Sequence, residues 1–135
     1  MLQFYFLSIV LNSLAGYILI SGDEDGCLEL KSGFSIKDET FRLVVGILSA
    51  ITGLLKLLSA TNGDLPVIGD LIPALMGFLT GFILIFEYYR SRSSLEDLGQ
   101  PEKIDRILVN NKKIIGIAAL IAAALHFLFP TVLLL

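Results

Sequence analysis

The chain changes direction within one stretch, GLLKLLSATNGDLPVIGDLIPALMG (Gly53–Gly77). Lys56 lies near the end of the apolar run that enters this stretch, and two similar motifs follow it, Gly63–Pro66 and Gly69–Pro73. Glycine permits tight turns, aspartate is a common helix N-cap, and proline suits the first turn of a helix. We therefore interpret the two motifs as two successive helix starts. A re-entrant half-helix whose N-terminus faces an anion is the alternative.

Composition indicates a membrane protein. Of the 135 residues, 55% are apolar and only 17% are charged, whereas soluble domains carry about 25% charged residues. The formal net charge of −3 gives no basic field for nucleic acid. A single cysteine, Cys27, and a single histidine exclude an internal disulfide and the usual zinc sites. We expect no metal, no cofactor and no nucleic-acid partner.

Four segments are long and apolar enough to cross the roughly 30 Å hydrocarbon core of a bilayer as helices. They cover about 2–21, 41–60, 68–89 and 113–134. The first has no basic region before it and no convincing cleavage site, so we expect it to be retained as a span. The sequence predicts an all-α integral membrane protein, a four-transmembrane-helix bundle in which residues 1–135 form one domain within the lipid bilayer.

The distribution of lysine and arginine predicts how the helices are oriented, because cytoplasmic connections are enriched in these residues. The short turn at about 61–67 has none, and the two long connections, 22–40 and 90–112, hold Lys31, Lys37, Arg90, Arg92, Lys103, Arg106 and Lys112. We expect both long connections in the cytoplasm, with the N-terminus, the turn and the C-terminus on the outside of the cell (inner) membrane.

The long connections also carry weaker structural patterns. Alternating apolar residues in CLELKSGFSIK (Cys27–Lys37) predict a small β-hairpin. Pro101, followed by apolar residues at helical spacing, predicts a short amphipathic helix over about 101–113 on the cytoplasmic surface. A solvated linker leading into the last span is the alternative.

An internal repeat relates the two halves of the chain. LAGYILI (Leu14–Ile20) matches LTGFILI (Leu79–Ile85), and FRLVVGILSAITGLLKLLSA (Phe41–Ala60) matches NKKIIGIAALIAAALHFLFP (Asn111–Pro130). We interpret the halves as two parallel helical-hairpin repeats around a pseudo-twofold axis along the membrane normal. Two similar but unrelated apolar hairpins are the alternative.

Small residues recur along the spans at the spacing of one helix face. Helices in lipid associate through close backbone approach at such residues, so we expect this face to line the bundle interior. The predicted packing residues are Gly16, Gly53, Gly77, Gly81, Ala119 and Ala123.

Lys56 and His126 follow these small residues at helical spacing, which predicts that both point into the bundle. Lys56 is fourteen residues beyond Arg42, or about 21 Å along a helix, which is the outer third of a membrane. Ionisable residues inside membranes are costly and often functional; lysine attracts anions and histidine carries protons near neutral pH. We predict a polar binding site in the outer half of the bundle, formed by Lys56, His126, Asp70, Asn12, Ser49, Thr52 and Thr80.

A purely structural role is the alternative for these groups. The Lys56 stem would then reach the outer surface, or its ammonium would pair with Asp64 or Asp70, and His126 would bond to a helix backbone. At the opposite end of the spans, we expect Glu87 to pair with Arg90 or Arg42, and a buried proton site is the alternative.

The sequence contains no G-x-S-x-G, P-loop or dinucleotide-binding motif, so we predict no enzymatic activity. One predicted function is a small transporter or channel for an anion or a proton-coupled solute, working as a homo-oligomer. The other is a non-catalytic scaffold or accessory subunit that binds a membrane-protein partner, in which the polar groups only fix helix packing.

Overall fold

A computed structural model describes residues 2–21, 37–58, 71–92 and 103–129. Within these ranges the chain forms no strands and four α-helices: α1 (Leu2–Ser21), α2 (Glu39–Leu58), α3 (Leu71–Arg92) and α4 (Lys103–Leu128). All four helices are long and apolar enough to cross a membrane, as the sequence predicts. The predicted turn at about 61–67 and the site residue Asp70 lie outside the described residues, as does the predicted β-hairpin over residues 27–37 apart from Lys37.

The start of α2 is set by a helix cap that the apolar pattern does not reveal. The Thr40 backbone N–H donates to Asp38 Oδ1 at 3.0 Å, and the Arg42 N–H donates to the Asp38 carbonyl at 3.0 Å. These two bonds are those of an aspartate N-cap. α2 therefore begins at Glu39, two residues before the predicted span.

α4 differs most from its prediction. Residues 103–128 form one continuous helix, so neither a separate amphipathic helix over 101–113 nor a linker describes this segment. No glycine or proline interrupts the chain from Lys103 to Ile115, and the helix therefore continues into the span. α4 ends at Leu128, six residues before the predicted end, because Pro130 disfavours helical geometry at the residue before it.

The helices run alternately in opposite directions. Tyr5 at the start of α1 contacts His126 at the end of α4, which in turn contacts Lys56 at the end of α2. Arg42 at the start of α2 contacts Glu87 near the end of α3. We call these two extremities the Lys56 end and the Glu87 end. α1 and α3 point toward the Glu87 end, and α2 and α4 point toward the Lys56 end.

The most extensive helix contacts are those between α2 and α3 and between α1 and α4, and each includes a pair of glycines. A Cβ added to Gly16 would lie 2.7 Å from the Gly116 carbonyl oxygen. A Cβ added to Gly81 would lie 2.5 Å from the Gly46 carbonyl oxygen. Only glycine permits backbones this close, which is how small residues promote helix association. The six predicted packing residues, glycines and alanines, are all buried.

Burial in this bundle differs from burial in a water-soluble one, because many large apolar side chains face outward and several polar side chains are buried. Large apolar side chains of every helix face outward, among them Phe6, Ile51, Phe78 and Ile121. Among the described residues, the buried polar side chains are Ser8, Asn12, Ser49, Thr52, Lys56, Thr80 and His126. Soluble proteins mostly place lysine and other polar groups at the surface and large aliphatic groups inside. The outer surface of the described helices is therefore suited to hydrocarbon.

The interior changes character along the bundle axis. The Lys56 end holds the buried ionisable pair, Lys56 and His126. The buried hydroxyl and amide side chains lie next along the axis. Next comes an apolar cluster, and the Glu87 end then closes the bundle with ionic contacts. The apolar cluster consists of Ala15, Ile18, Leu19, Val45, Ile83 and Leu84. A polar half and an apolar half thus meet near the glycine pairs.

We predict that enlarging Ala119 will destabilise the fold, because Ala119 is fully buried and its Cβ lies beside Gly16. Ala119→Leu should lower the free energy of unfolding by about 1–3 kcal/mol through overpacking, measured by denaturing-detergent titration in mixed micelles. Ala124→Leu is the matched control, since Ala124 is exposed on the same helix. Equal effects of the two substitutions would contradict the packing described here.

Candidate polar site

Two of the three ionisable residues predicted for the site lie in contact with each other. Lys56 Nζ is 2.7 Å from His126 Nε2, and the residues are only 7% and 1% exposed. They come from the last turns of α2 and α4 and occupy matching positions in the two halves of the sequence. The spacing predicts their inward orientation; the bond between them was not predicted.

Tyr5 is a third member of this cluster, and sequence reasoning missed it. Its hydroxyl donates to the His126 carbonyl at 2.7 Å. Its ring centroid lies 4.7 Å from that of the His126 imidazole and 5.8 Å from Lys56 Nζ, which is within cation–π range. In a continued helix, residue 130 would donate to the His126 carbonyl, but Pro130 has no N–H. Tyr5 supplies the donor for the His126 carbonyl instead. The sequence signal for this contact is Pro130, whose missing N–H leaves that carbonyl without its helical donor.

Hydrogen-bond chemistry limits the charge that the Lys56–His126 contact can hold. A lysine ammonium has only donors, and a doubly protonated imidazole also has only donors. The bond therefore requires that one partner lack its extra proton: either the Lys56 ammonium donates to neutral His126, or His126 Nε2–H donates to neutral Lys56. A pair in which both groups carry their extra proton has no acceptor and cannot form this bond.

The other predicted site residues lie deeper in the bundle. Asn12 Nδ2 donates to the Pro73 carbonyl at 2.9 Å, and Ser49 Oγ donates to the Gly77 carbonyl at 3.0 Å. Thr80 Oγ1 donates to the carbonyl of Met76 at 2.7 Å. These three side chains thus bond to helix backbone, as buried polar groups must.

Two more buried side chains belong to this polar layer. Thr52, which the sequence predicts, and Ser8, which it does not, lie between the Lys56 end and the deeper groups. One helical turn separates Thr52 from Lys56 on α2, so both lie on one face. The described members of the predicted site are therefore all inside the polar half of the bundle, with the ionisable pair at its end.

The Glu87 end contains a second charged cluster. Glu87 accepts from Arg42 through Oε2 and from Lys112 Nζ through Oε1 at 3.0 Å. The three side chains are between 12% and 16% exposed. The predicted pairing of Glu87 with Arg42 is confirmed, and the contact with Lys112 was missed. The alignment of Phe41–Ala60 with Asn111–Pro130 contains a signal for it, because it puts Lys112 opposite Arg42.

A small recess lies beside this second cluster. Its volume is about 60 Å³, which is room for a few water molecules. The lining residues are Glu39, Arg42, Leu84, Glu87, Tyr88 and Ser91. Across the described ranges no group of three or more histidine, cysteine, aspartate or glutamate side chains is placed to hold a metal ion.

Fold and site together define an all-helical protein whose four described helices are long and apolar enough to span a membrane, with polar groups inside. A protein-family model matches residues 1–126, so the chain belongs to that family, whose description names no function. The chain is 39% identical over 135 residues to a Treponema pallidum (strain Nichols) protein described as an uncharacterized protein. That match covers 99% of this chain and 100% of the relative. No solved structure matches the chain.

We predict that Lys56 and His126 are energetically coupled. Lys56→Met and His126→Leu should each lower the free energy of unfolding. The double variant should lose less than the sum of the two single losses, by about 0.5–3 kcal/mol, as for other directly contacting pairs. The double-mutant cycle is measured by denaturing-detergent titration, and strictly additive effects would contradict the contact.

Proposed function

We propose that the bundle resides in the cell membrane, with the Lys56 end toward the outside and the Glu87 end toward the cytoplasm. The apolar outer surface of the described helices supports insertion, since polar side chains are costly in hydrocarbon and here they face inward. The excess of lysine and arginine in the two long connections supports the orientation.

We also propose that the halves are parallel repeats related by a pseudo-twofold axis. Residues at matching positions of the two sequence halves make equivalent contacts. Gly16 with Gly116 and Gly81 with Gly46 make the close helix contacts. In addition, the contact between Lys56 and His126 joins one residue with its own counterpart, as happens near a twofold axis.

Within this frame, the proposed function is transport of a small anion coupled to protons. The observation that carries it is the buried Lys56–His126 hydrogen bond at 2.7 Å. A second proton on the pair breaks that bond and adds a positive charge at the end of the polar layer, which attracts an anion. Proton binding, anion binding and a change in the α2–α4 contact would then be one event. We also propose that the protein works as a homo-oligomer or together with a membrane-protein partner.

The second candidate function is a scaffold or accessory subunit. It is favoured by the hydrogen bonds of Asn12, Ser49 and Thr80 to helix backbone, which fix helix packing whether or not a solute passes. The two functions differ in what happens when the ionisable pair is replaced by apolar residues. A transporter loses flux, whereas a scaffold keeps its partner.

We predict that proteoliposomes containing the wild-type chain will show proton-dependent anion flux, and that Lys56→Met and His126→Leu will abolish it. The assay uses a pH gradient and a panel of chloride, nitrate, acetate and phosphate. Lys37→Met is the control for the loss of a lysine, because Lys37 is exposed outside the helices and should leave flux unchanged. Well-folded wild-type protein that moves no anion and no proton would rule out transport and favour the scaffold.

The proposed orientation gives a separate prediction based on the single native cysteine. Cys27 lies in the connection expected in the cytoplasm, so a membrane-impermeant maleimide should label it only after cells are permeabilised. The control variant Cys27→Ser/Thr61→Cys carries its thiol in the turn expected outside and should be labelled in intact cells. The opposite pattern of labelling would reverse the orientation.

A further inference from the structure

The Glu87 end carries a second pair of cations on the same two helices that provide the first. Arg42 and Lys56 are fourteen residues apart on α2, and Lys112 and His126 are fourteen residues apart on α4. At 1.5 Å per residue, the two basic pairs are separated by about 21 Å along the bundle axis. The polar layer and the apolar cluster lie between them. An anion that crosses the bundle would therefore meet a basic pair at each end.

The second basic pair, Arg42 and Lys112, binds the carboxylate of Glu87. Each carboxylate oxygen faces its own cation, with Oε2 on Arg42 and Oε1 on Lys112 Nζ at 3.0 Å. A guanidinium and an ammonium that converge on one carboxylate make charge-assisted hydrogen bonds, the strong class of such bonds. The partly open recess beside Arg42 and Glu87 gives this place a route from solvent.

We propose that Arg42 and Lys112 form a second anion-binding site, for a carboxylate or a similar oxyanion, and that Glu87 fills this site in the present structure. The inference rests on the proposed function as an anion transporter and adds the site on its cytoplasmic side. Two partly buried cations repel each other unless an anion lies between them. When Glu87 leaves the pair, a solute anion takes its place.

Glu87 has an advantage over any free anion because it is attached to the same chain. An attached ligand acts at an effective concentration in the millimolar range or above. Glu87 therefore keeps the cytoplasmic end closed until either the solute is abundant or α3 moves away from α2 and α4. The apolar cluster directly above it, which includes Leu84 and Val45, closes the same end to water.

The test removes the internal carboxylate from the full-length chain in micelles and supplies acetate as the probe. Glu87→Ala should lower the melting temperature, and sodium acetate should recover most of that loss, whereas sodium chloride at equal ionic strength should not. Ala119→Leu is the control, because it loses stability through the packing of α4 against Gly16, away from the recess and its cations. Acetate should have no specific effect on this control.

Equal recovery by acetate and chloride, or no recovery by either, would overturn the second site. A second variant keeps the proposal testable if Glu87→Ala does not fold. Glu87→Gln retains the shape of the side chain and should bind acetate several-fold more tightly than wild type by calorimetric titration, and Glu87→Gln/Lys112→Gln should lose that gain. Binding no tighter than wild type would again refute the proposal.

These results are independent of those that test transport. Failure of acetate to bind the second pair leaves the flux assay on Lys56 and His126 intact, with transport then using the first pair alone. Conversely, acetate binding at Arg42 and Lys112 without any flux would retain the anion site and remove its role in transport.

Discussion

Contact between helix backbones at two glycine pairs is the constraint on which the rest of this bundle depends. Gly16 against Gly116 and Gly81 against Gly46 bring helices of different halves closer than any side chain would permit. In the lipid bilayer that we propose for this bundle, such packing is the main attraction between helices, because lipid tails give them no hydrophobic reason to associate. It also fixes how far each helix is shifted along its neighbour. Because that shift is fixed, Lys56 meets His126 at one end, and the basic residues of α2 and α4 meet one carboxylate at the other.

Both ends of the bundle hold two basic groups close together, and the repulsion between these groups is offset in different ways at the two ends. At the Glu87 end, two cations share a carboxylate, so charge is balanced by a group of opposite sign. At the Lys56 end, two basic groups share a hydrogen bond, which limits the charge they hold together, and the Tyr5 ring adds a cation–π contact. The basic groups of α2 and α4 are thus held by a carboxylate at one end of the bundle and by each other at the opposite end.

Much of the helical architecture can be predicted from the sequence, because long apolar segments separated by charged connections can form few structures other than long helices. The inward orientation of Lys56 and His126 also follows from helical periodicity, since both share a face with small residues. Other features depend on contacts between distant parts of the chain. Nothing in the local sequence links Tyr5 to a carbonyl 121 residues away. The continuation of α4 through residues 103–112 is instead a local feature, because no glycine or proline interrupts the helix there, and the sequence analysis missed it. The contact between Lys112 and Glu87 is an intermediate case, because the sequence alignment of the two halves puts Lys112 opposite Arg42, whereas the predicted partner of Glu87 was Arg90 or Arg42.

The most extensive helix contacts join the first half of the chain to the second, α1 with α4 and α2 with α3. This arrangement has a consequence for how the protein is made. Ribosomes deliver α1 and α2 before α3 and α4, yet the acceptors for Asn12 and Ser49 are carbonyls of Pro73 and Gly77 on α3. Gly16 on α1 packs against α4, the last helix to be synthesised. The polar side chains and the glycine face of the first hairpin therefore gain their partners only after the second half of the chain has been translated. Helix packing across the two halves is completed late, and its timing is set by the translation of the second half.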